Sequence, residues 1–270
     1  MPRAHVGCAA RALGLLLLAA CGPKETLLRI EAGSIGFVAP AQVPAGLTRV
    51  RLVNRDSVLH EAVITRIGEG GSIQTYLDLS MTGDENPTFA TDLGGPTLVA
   101  PGDSIDTLLL LTAGTHAILS WHRDELMRGF IREVRVVPST AAAAPPRADA
   151  EVILGDYTIS PITASPGRQL LHVVNRGPST HEMTIVRLAA GATPEAYHAW
   201  RQGGEQGPAP GRPVAGTAAL AAGGEAWADV EWEPGEYLVT CAVETVGASP
   251  VPRHYTLGME QRITVGAFAK

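Results

Sequence analysis

The stretch Gly235-Glu-Tyr-Leu-Val-Thr-Cys241 decides how this chain folds and where its chemistry lies. Side chains of a β-strand alternate between two faces, so the spacing of Tyr237, Val239 and Cys241 predicts a strand that points all three to one side. The strand therefore presents a thiol at its carboxyl end. The other cysteines, Cys8 and Cys21, lie within and directly after a predicted amino-terminal export signal, and neither is expected to pair with this thiol in an oxidising compartment.

Three other side chains suit a thiol as fellow ligands: His181, His254 and Met259. Two imidazoles, a thiolate and a thioether are the donors of a mononuclear electron-transfer copper site. A plainer interpretation stays open, in which Cys241 is a small buried core residue, His181 a hydrogen-bonded strand-end residue and Met259 a packing residue.

The second half of the chain resembles the cupredoxin family, the blue copper proteins related to plastocyanin and azurin. The resemblance implies one type 1 copper ion, with His181 and His254 as imidazole ligands, Cys241 as the thiolate and Met259 as the axial ligand. Twelve residues separate Cys241 from His254, more than is usual in the family. The matching motifs are Asn175…His181, Gly235-x-Tyr-x-x-x-Cys241, and His254 followed by Gly258-Met259.

The chain also contains an internal repeat with a constant spacing of 121 positions, which indicates two tandem domains. The resemblance implies that both are cupredoxin-like Greek-key β-sandwiches, so the predicted fold class is all-β. The predicted units are a signal peptide over 1–20, a degenerate domain over 21–138, an Ala/Pro linker over 139–149 and a copper-binding domain over 150–270. The repeated pairs are Val53-Asn-Arg55 with Val174-Asn-Arg176, His60-Glu61 with His181-Glu182, and Gly114 with Gly235.

Short apolar-alternating runs between Gly, Pro and Asn predict the strands. One helix is predicted, with Thr193 as N-cap, Pro194 at the first helical position and Glu195–Gln202 following it. The stretch Gly203–Gly216 is predicted to be a loop. The predicted strands are Thr48–Asn54, Ala62–Ile67, Asp106–Leu111, Thr115–Trp121, Ile131–Val137, Gln169–Asn175, Met183–Leu188, Ala226–Trp232, Tyr237–Val243 and Arg262–Val265.

The first copy has lost the soft ligands, because Ser120 stands where Cys241 stands and Phe130 replaces Met259. A blue copper site is not expected there. His60 remains, and His122 or Met127 are weak candidates to join it around Cu(I); a spacer or docking role is the stronger expectation for this domain.

The first residues predict export. Arg3 and Arg11 precede the apolar run Leu13–Ala20, which is too short to span a bilayer as a helix. The sequence Leu18-Ala-Ala-Cys21 resembles a bacterial lipobox, which implies lipidation of Cys21 and a location at the periplasmic face of the cell envelope. Gly22 after the cysteine favours the outer membrane. Ordinary cleavage, with Cys21 as a bystander, is the alternative.

Charge and motif content narrow the function. Without residues 1–20 the chain has 19 basic and 27 acidic residues, which argues against nucleic acid as a partner. The expected function is one-electron transfer with a redox partner protein of unknown identity. A metal-free lipoprotein that binds a protein is the alternative. A two-domain copper enzyme is disfavoured, because Thr240 and Ala242 flank the cysteine and no His-x-His pair occurs.

Overall fold

The computed structural model describes residues 25–82, 87–140, 144–245 and 251–267. The predicted signal peptide, Cys21 and part of the predicted linker lie outside these ranges. Among the described residues, no helix has the length and apolar character needed to cross a bilayer.

The first half of the chain contains nine strands and two helices within the described ranges. In chain order they are β1 Thr26–Gly33, β2 Gly36–Val38, β3 Gln42–Pro44, β4 Gly46–Asn54, β5 Val63–Ile67, α1 Ile73–Thr82, β6 Ala90–Asp92, β7 Ser104–Leu111, β8 Gly114–Leu119, α2 Arg123–Met127 and β9 Ile131–Val137.

The second half contains eight strands, one α-helix and a short 3-10 helix within the described ranges. They are β10 Ala150–Gly155, β11 Thr158–Ile159, β12 Gly167–Asn175, β13 His181–Leu188, α3 Pro194–Gln202, β14 Gly211–Leu220, β15 Glu225–Trp232, β16 Gly235–Thr240, the 3-10 helix His254–Leu257, and β17 Glu260–Val265.

Each half is a sandwich of two sheets, which confirms the prediction of an all-β fold. In the first half, strands β2, β1, β4 and β7 face a sheet ordered β3-β9-β8-β5-β6. In the second half, strands β11, β10, β12 and β15 face a sheet ordered β14-β13-β16-β17. Alternate residues of the facing strands bury apolar side chains between the two layers, as the pleat requires.

The two halves share one continuous eight-stranded sheet, because β7 pairs antiparallel with β15. Ala228 pairs with Thr107, and these residues are 121 positions apart, as are the two strands themselves. Equivalent strands that meet antiparallel at equivalent residues are related by a local two-fold axis. The halves are therefore joined by backbone hydrogen bonds as well as by the connecting chain.

The junction is tightened by a second pair of equivalent residues, Gly95 and Gly216. The hydroxyl of Thr107 lies 3.1 Å from the carbonyl oxygen of Gly95 and 3.0 Å from that of Gly216, and donates to them. Both glycines have φ of +140°, and a Cβ on either would overlap a backbone carbonyl, that of Ala62 or of Met183. Only glycine fits at these two positions.

Most of the predicted elements are confirmed. All ten predicted strands are present, with ends shifted by up to three residues, and helix α3 begins and ends as predicted. The hydroxyl of Thr193 accepts a hydrogen bond from the amide of Ala196, as an N-cap does.

Two predictions about the second half are wrong. The stretch Gly203–Gly216 is not a continuous loop, because β14 begins at Gly211. It is the edge strand of its sheet, where a proline such as Pro213 is tolerated because no partner needs its missing N–H. The strand predicted over Tyr237–Val243 ends at Thr240, because the amide and carbonyl of Cys241 hydrogen-bond instead to Met259 and Tyr255. These residues belong to the segment 254–259, which we call the closing loop.

Candidate metal centre

His181 is placed by the loop that leads into β13. The side-chain amide of Asn175 donates to the carbonyl oxygens of Ser179 and Leu220, both at 2.8 Å, and its oxygen accepts from the amide of Gly177 at 2.9 Å. These three bonds fold the loop back on itself at the end of β12. They bring His181, which is fully buried, to the top of the sandwich core.

Cys241 and His254 are placed by a closing loop that crosses the end of β16. The amide of Cys241 donates to the carbonyl of Met259 at 3.1 Å, and its carbonyl accepts from the amide of Tyr255 at 2.9 Å. The amide of Met259 donates to the carbonyl of His254, also at 3.1 Å. Backbone hydrogen bonds therefore hold Cys241, His254 and Met259 against one another.

Three of the four predicted ligands converge on one point in the core. Nδ1 of His181 lies 3.0 Å from Nδ1 of His254, and Sγ of Cys241 lies 3.6 Å from the same His254 nitrogen. All three donor atoms lie within 4.8 Å of one another, so they form a possible site for one metal ion. Cys241, His181 and Met259 have no solvent exposure, and His254 is 2% exposed.

Burial sets the protonation of the site. Desolvation lowers the pKa of His181, and desolvation together with the neighbouring His181 lowers the pKa of His254 to about 4. Burial, with the nearby charge of Glu182, raises the pKa of the Cys241 thiol. At neutral pH both imidazoles are therefore neutral and carry a lone pair, while the thiol keeps its proton until a cation replaces it.

Asp156 is a site residue that sequence reasoning missed. Its Oδ1 lies 3.0 Å from Nε2 of His181. An ionised carboxylate only accepts hydrogen bonds, so Nε2 of His181 is the donor and the lone pair of the neutral ring is on Nδ1. Asp156 lies in a short turn 25 residues before His181, and no motif in the sequence connects the two.

In the part of the first half that the structure describes, there is no equivalent donor set. Nδ1 of His60 lies 2.9 Å from Glu125 Oε1, and Nε2 lies 3.1 Å from Asp56 Oδ2. The ring of Phe130 stacks on that of His60, with centroids 4.7 Å apart. The Met127 side chain is 63% exposed, so the structure does not place it with the buried His60.

Within the described ranges, His181, Cys241 and His254 make the single cluster of three His, Cys, Asp or Glu side chains that could hold a metal. His60 and His122 belong to no such cluster. The weak Cu(I) hypothesis for the first half therefore gains no support.

Several solved copper proteins resemble the structure. Auracyanin from Roseiflexus castenholzii is 20% identical with a TM-score of 0.32, over 43% of this chain and 95% of its own. Auracyanin A from Chloroflexus aurantiacus, described as a blue copper protein, is 13% identical with a TM-score of 0.32, over 42% and 99%. The copper nitrite reductase of Nitrosomonas europaea is 13% identical with a TM-score of 0.28, over 92% and 95%.

Neither a comparison with protein-family models nor one with curated proteins finds a match. Scores as low as those of the solved structures do not assign a function. The geometry of His181, Cys241 and His254 is the evidence that bears on function.

Proposed function

We propose that the second domain binds one type 1 copper ion and that the protein carries single electrons without catalysing a reaction. His181, Cys241, His254 and Met259 would hold the ion. The observation that carries the proposal is the convergence of two imidazole nitrogens and one thiol sulfur within 4.8 Å, all buried.

The donor set suits copper in both of its common oxidation states. Bound copper would supply a one-electron couple, Cu(II)/Cu(I), and a mixed set of imidazole, thiolate and thioether accommodates both ions. The chain supplies fixed positions for the ligands. His181 begins β13, Cys241 follows β16, and the backbone bonds of the closing loop hold His254 and Met259 in place.

Two further observations support an electron carrier over an enzyme. Thr240 and Ala242 flank Cys241, so the thiolate has no adjacent histidine to lead electrons to a second, catalytic copper. His181 and Cys241 have no solvent exposure and His254 is 2% exposed, so a substrate in solution has no direct access to the donor atoms.

The location is part of the proposal. Lipidation of Cys21 would hold the folded part close to a membrane, because β1 begins at Thr26. The support for this anchor is the Leu-Ala-Ala-Cys sequence and the apolar run before it. The redox partner would then be a protein of the cell envelope, with the outer membrane as the favoured location.

One observation favours a second candidate, a metal-free module that binds a partner protein. His181 Nδ1 and His254 Nδ1 are close enough to hydrogen-bond directly, so the two imidazoles satisfy each other without a metal. In that case the closing loop would be held by this hydrogen bond, and Cys241 would be an inert core thiol.

An optical titration with Cu(II) separates the two candidates. The proposal expects an intense thiolate-to-copper band that saturates at one copper per chain and is absent from Cys241→Ser. Ser120→Ala, at the equivalent position of the first half, is the matched control and should keep the band. A titration without a Cys241-dependent band would reject copper binding at this site and favour the metal-free module that binds a partner protein.

A further inference from the structure

One two-residue turn contacts both imidazoles of the candidate site. Gly155 pairs with Thr158 across the β10–β11 hairpin, so Asp156 and Tyr157 form its turn. Asp156 contacts Nε2 of His181, and the ring of Tyr157 meets the ring of His254 edge to face, with centroids 5.3 Å apart.

The backbone of this turn is strained at Tyr157, which has φ of +62°. A bulky residue in the left-handed region costs roughly 1 kcal/mol or more and persists where the surrounding structure requires it. Here the closing loop, which packs against the turn, holds Tyr157 in this conformation. A Cβ on Gly258 would lie 2.9 Å from the carbonyl oxygen of Tyr157, so the closing loop is seated directly on the turn.

The first half has the same hairpin without the contacts to imidazole rings. Gly33 pairs with Gly36, so Ser34 and Ile35 stand in the places of Asp156 and Tyr157. The neighbouring register agrees, since Ala32 pairs with Asn54 as Leu154 pairs with Asn175. Ile35 is 85% exposed and covers no imidazole.

The first half nevertheless places a carboxylate on the equivalent imidazole nitrogen, from another element. Nε2 of His60 contacts Asp56, whose equivalent 121 positions later is Gly177. A Cβ on Gly177 would lie 2.7 Å from Asp156 Oδ1 and 2.9 Å from His181 Nε2. The carboxylate therefore comes from the loop before the histidine in the first half and from the hairpin turn in the second, and the carboxylate–imidazole contact is present in both.

We propose that the Asp156–Tyr157 turn is the positioning element of the metal site: Asp156 orients His181 with Nδ1 towards the metal, and Tyr157 closes the site over His254 against ligands from solvent. This inference rests on the proposed function. Asp156 and Tyr157 are positioning residues, because neither is a donor to the metal.

The two contacts have different consequences. A hydrogen bond from Nε2 to Asp156 fixes both the tautomer and the rotation of the His181 ring, as carboxylate partners of metal-binding histidines do. The Tyr157 ring, together with the closing loop, leaves His254 only 2% exposed. Loss of the first contact should weaken metal binding, and loss of the second should admit small ligands.

Nitrogen-15 NMR of the histidine rings in the metal-free protein tests the first contact without copper. We expect His181 as the Nε2–H tautomer, and a mixture of tautomers in Asp156→Ala. Asp156→Asn, whose side-chain oxygen can still accept a hydrogen bond from Nε2, should keep the single tautomer. In the copper-loaded protein, Asp156→Ala should lower copper affinity about 10- to 100-fold, and Asp156→Asn should lower it less.

Azide or imidazole binding to the Cu(II)-loaded protein, followed by paramagnetic resonance, tests the second contact. Tyr157→Gly removes the ring and relieves the strain, and should bind the added ligand at least tenfold more tightly, while Tyr157→Phe should behave like the natural protein. An unchanged tautomer and affinity in Asp156→Ala, or unchanged ligand binding in Tyr157→Gly, would overturn the inference. Failure of the natural protein to bind copper would instead reject the proposed function.

Discussion

Glu125 Oε1 lies 2.9 Å from Nδ1 of His60, the ring nitrogen whose equivalent in His181 faces a second imidazole. In the first half, a carboxylate therefore lies where the second half has the imidazole of His254. Burial lowers the pKa of His60, but Glu125 and Asp56 outweigh it, and the pKa is raised overall. The buried ring therefore keeps its proton to higher pH than an ordinary histidine does, with a carboxylate beside each of its two nitrogens.

Glu125→Gln should destabilise the protein more at acid pH than at alkaline pH. A histidine whose pKa is raised on folding adds stability that is complete below its unfolded pKa of about 6.5 and is lost as pH rises through the folded value. Removing the carboxylate removes that gain. Urea unfolding at pH 6 and pH 9 measures the difference in free energy of unfolding between the variant and the natural protein. An equal difference at both pH values would contradict a raised pKa of His60.

Introducing a thiol in the first half should not create a second copper site. Ser120 is the equivalent of Cys241, but Glu125 occupies the place of the second imidazole, and no thioether replaces Phe130. Ser120→Cys should therefore give one thiolate–copper band per chain, and Ser120→Cys/Cys241→Ser should give none. A band in the double variant, measured in the same optical titration, would show that the halves are interchangeable.

Asp92→Asn should raise stability at alkaline pH and leave it nearly unchanged at acid pH. Burial raises the pKa of Asp92 to about 7, although the hydroxyl of Thr65 donates to it at 2.5 Å. Between about pH 4 and 7 the native state holds a proton that the unfolded chain has released, so stability falls as pH rises. Asparagine removes this loss, which reaches a few kcal/mol at about 1.4 kcal/mol per pKa unit.

The check is urea unfolding of Asp92→Asn and the natural protein at pH 4.5 and pH 8. The gain should appear at pH 8 alone. A gain of equal size at both values would mean that Asp92 is ionised in the native state throughout this range.

Gly216→Ala should be much more destabilising than Gly223→Ala. Both glycines have positive φ, so each substitution carries the cost of a left-handed alanine, roughly 1 kcal/mol. A Cβ at Gly223 meets nothing within 4 Å, whereas one at Gly216 overlaps the carbonyl of Met183 at the junction of the two halves. Thermal or urea unfolding should show a loss in the free energy of unfolding at least twice as large for Gly216→Ala. Equal losses would mean that the backbone at the junction relaxes around the added methyl group at little cost.

Local patterns in the sequence were sufficient for the parts of the fold that depend on local physics. Alternation of apolar residues located ten strands, and Thr193 with Pro194 located the start of α3. The edge strand β14 was missed because its glycines and Pro213 read as turn signals. Gly216 is there for a close approach to Met183, a contact between segments that no local pattern shows.

The residues of the candidate site also differ in whether the sequence alone could predict them. His181, Cys241 and His254 were predictable because their residue types and order resemble a known family. Asp156 was not, because its role depends on a hairpin turn that packs against the loop of His181. The same contact comes from Asp56, in the loop before the histidine, in the first half and from Asp156, in the hairpin turn, in the second, so only the folded chain reveals it.

X-ray absorption at the copper edge of the singly loaded protein reports the ligand atoms themselves. We expect a shell of two nitrogen neighbours and one short sulfur neighbour, with the sulfur lost in Cys241→Ser. A shell of nitrogen and oxygen alone in the natural protein would contradict it, because copper would then be bound somewhere other than the buried site formed by His181, Cys241 and His254.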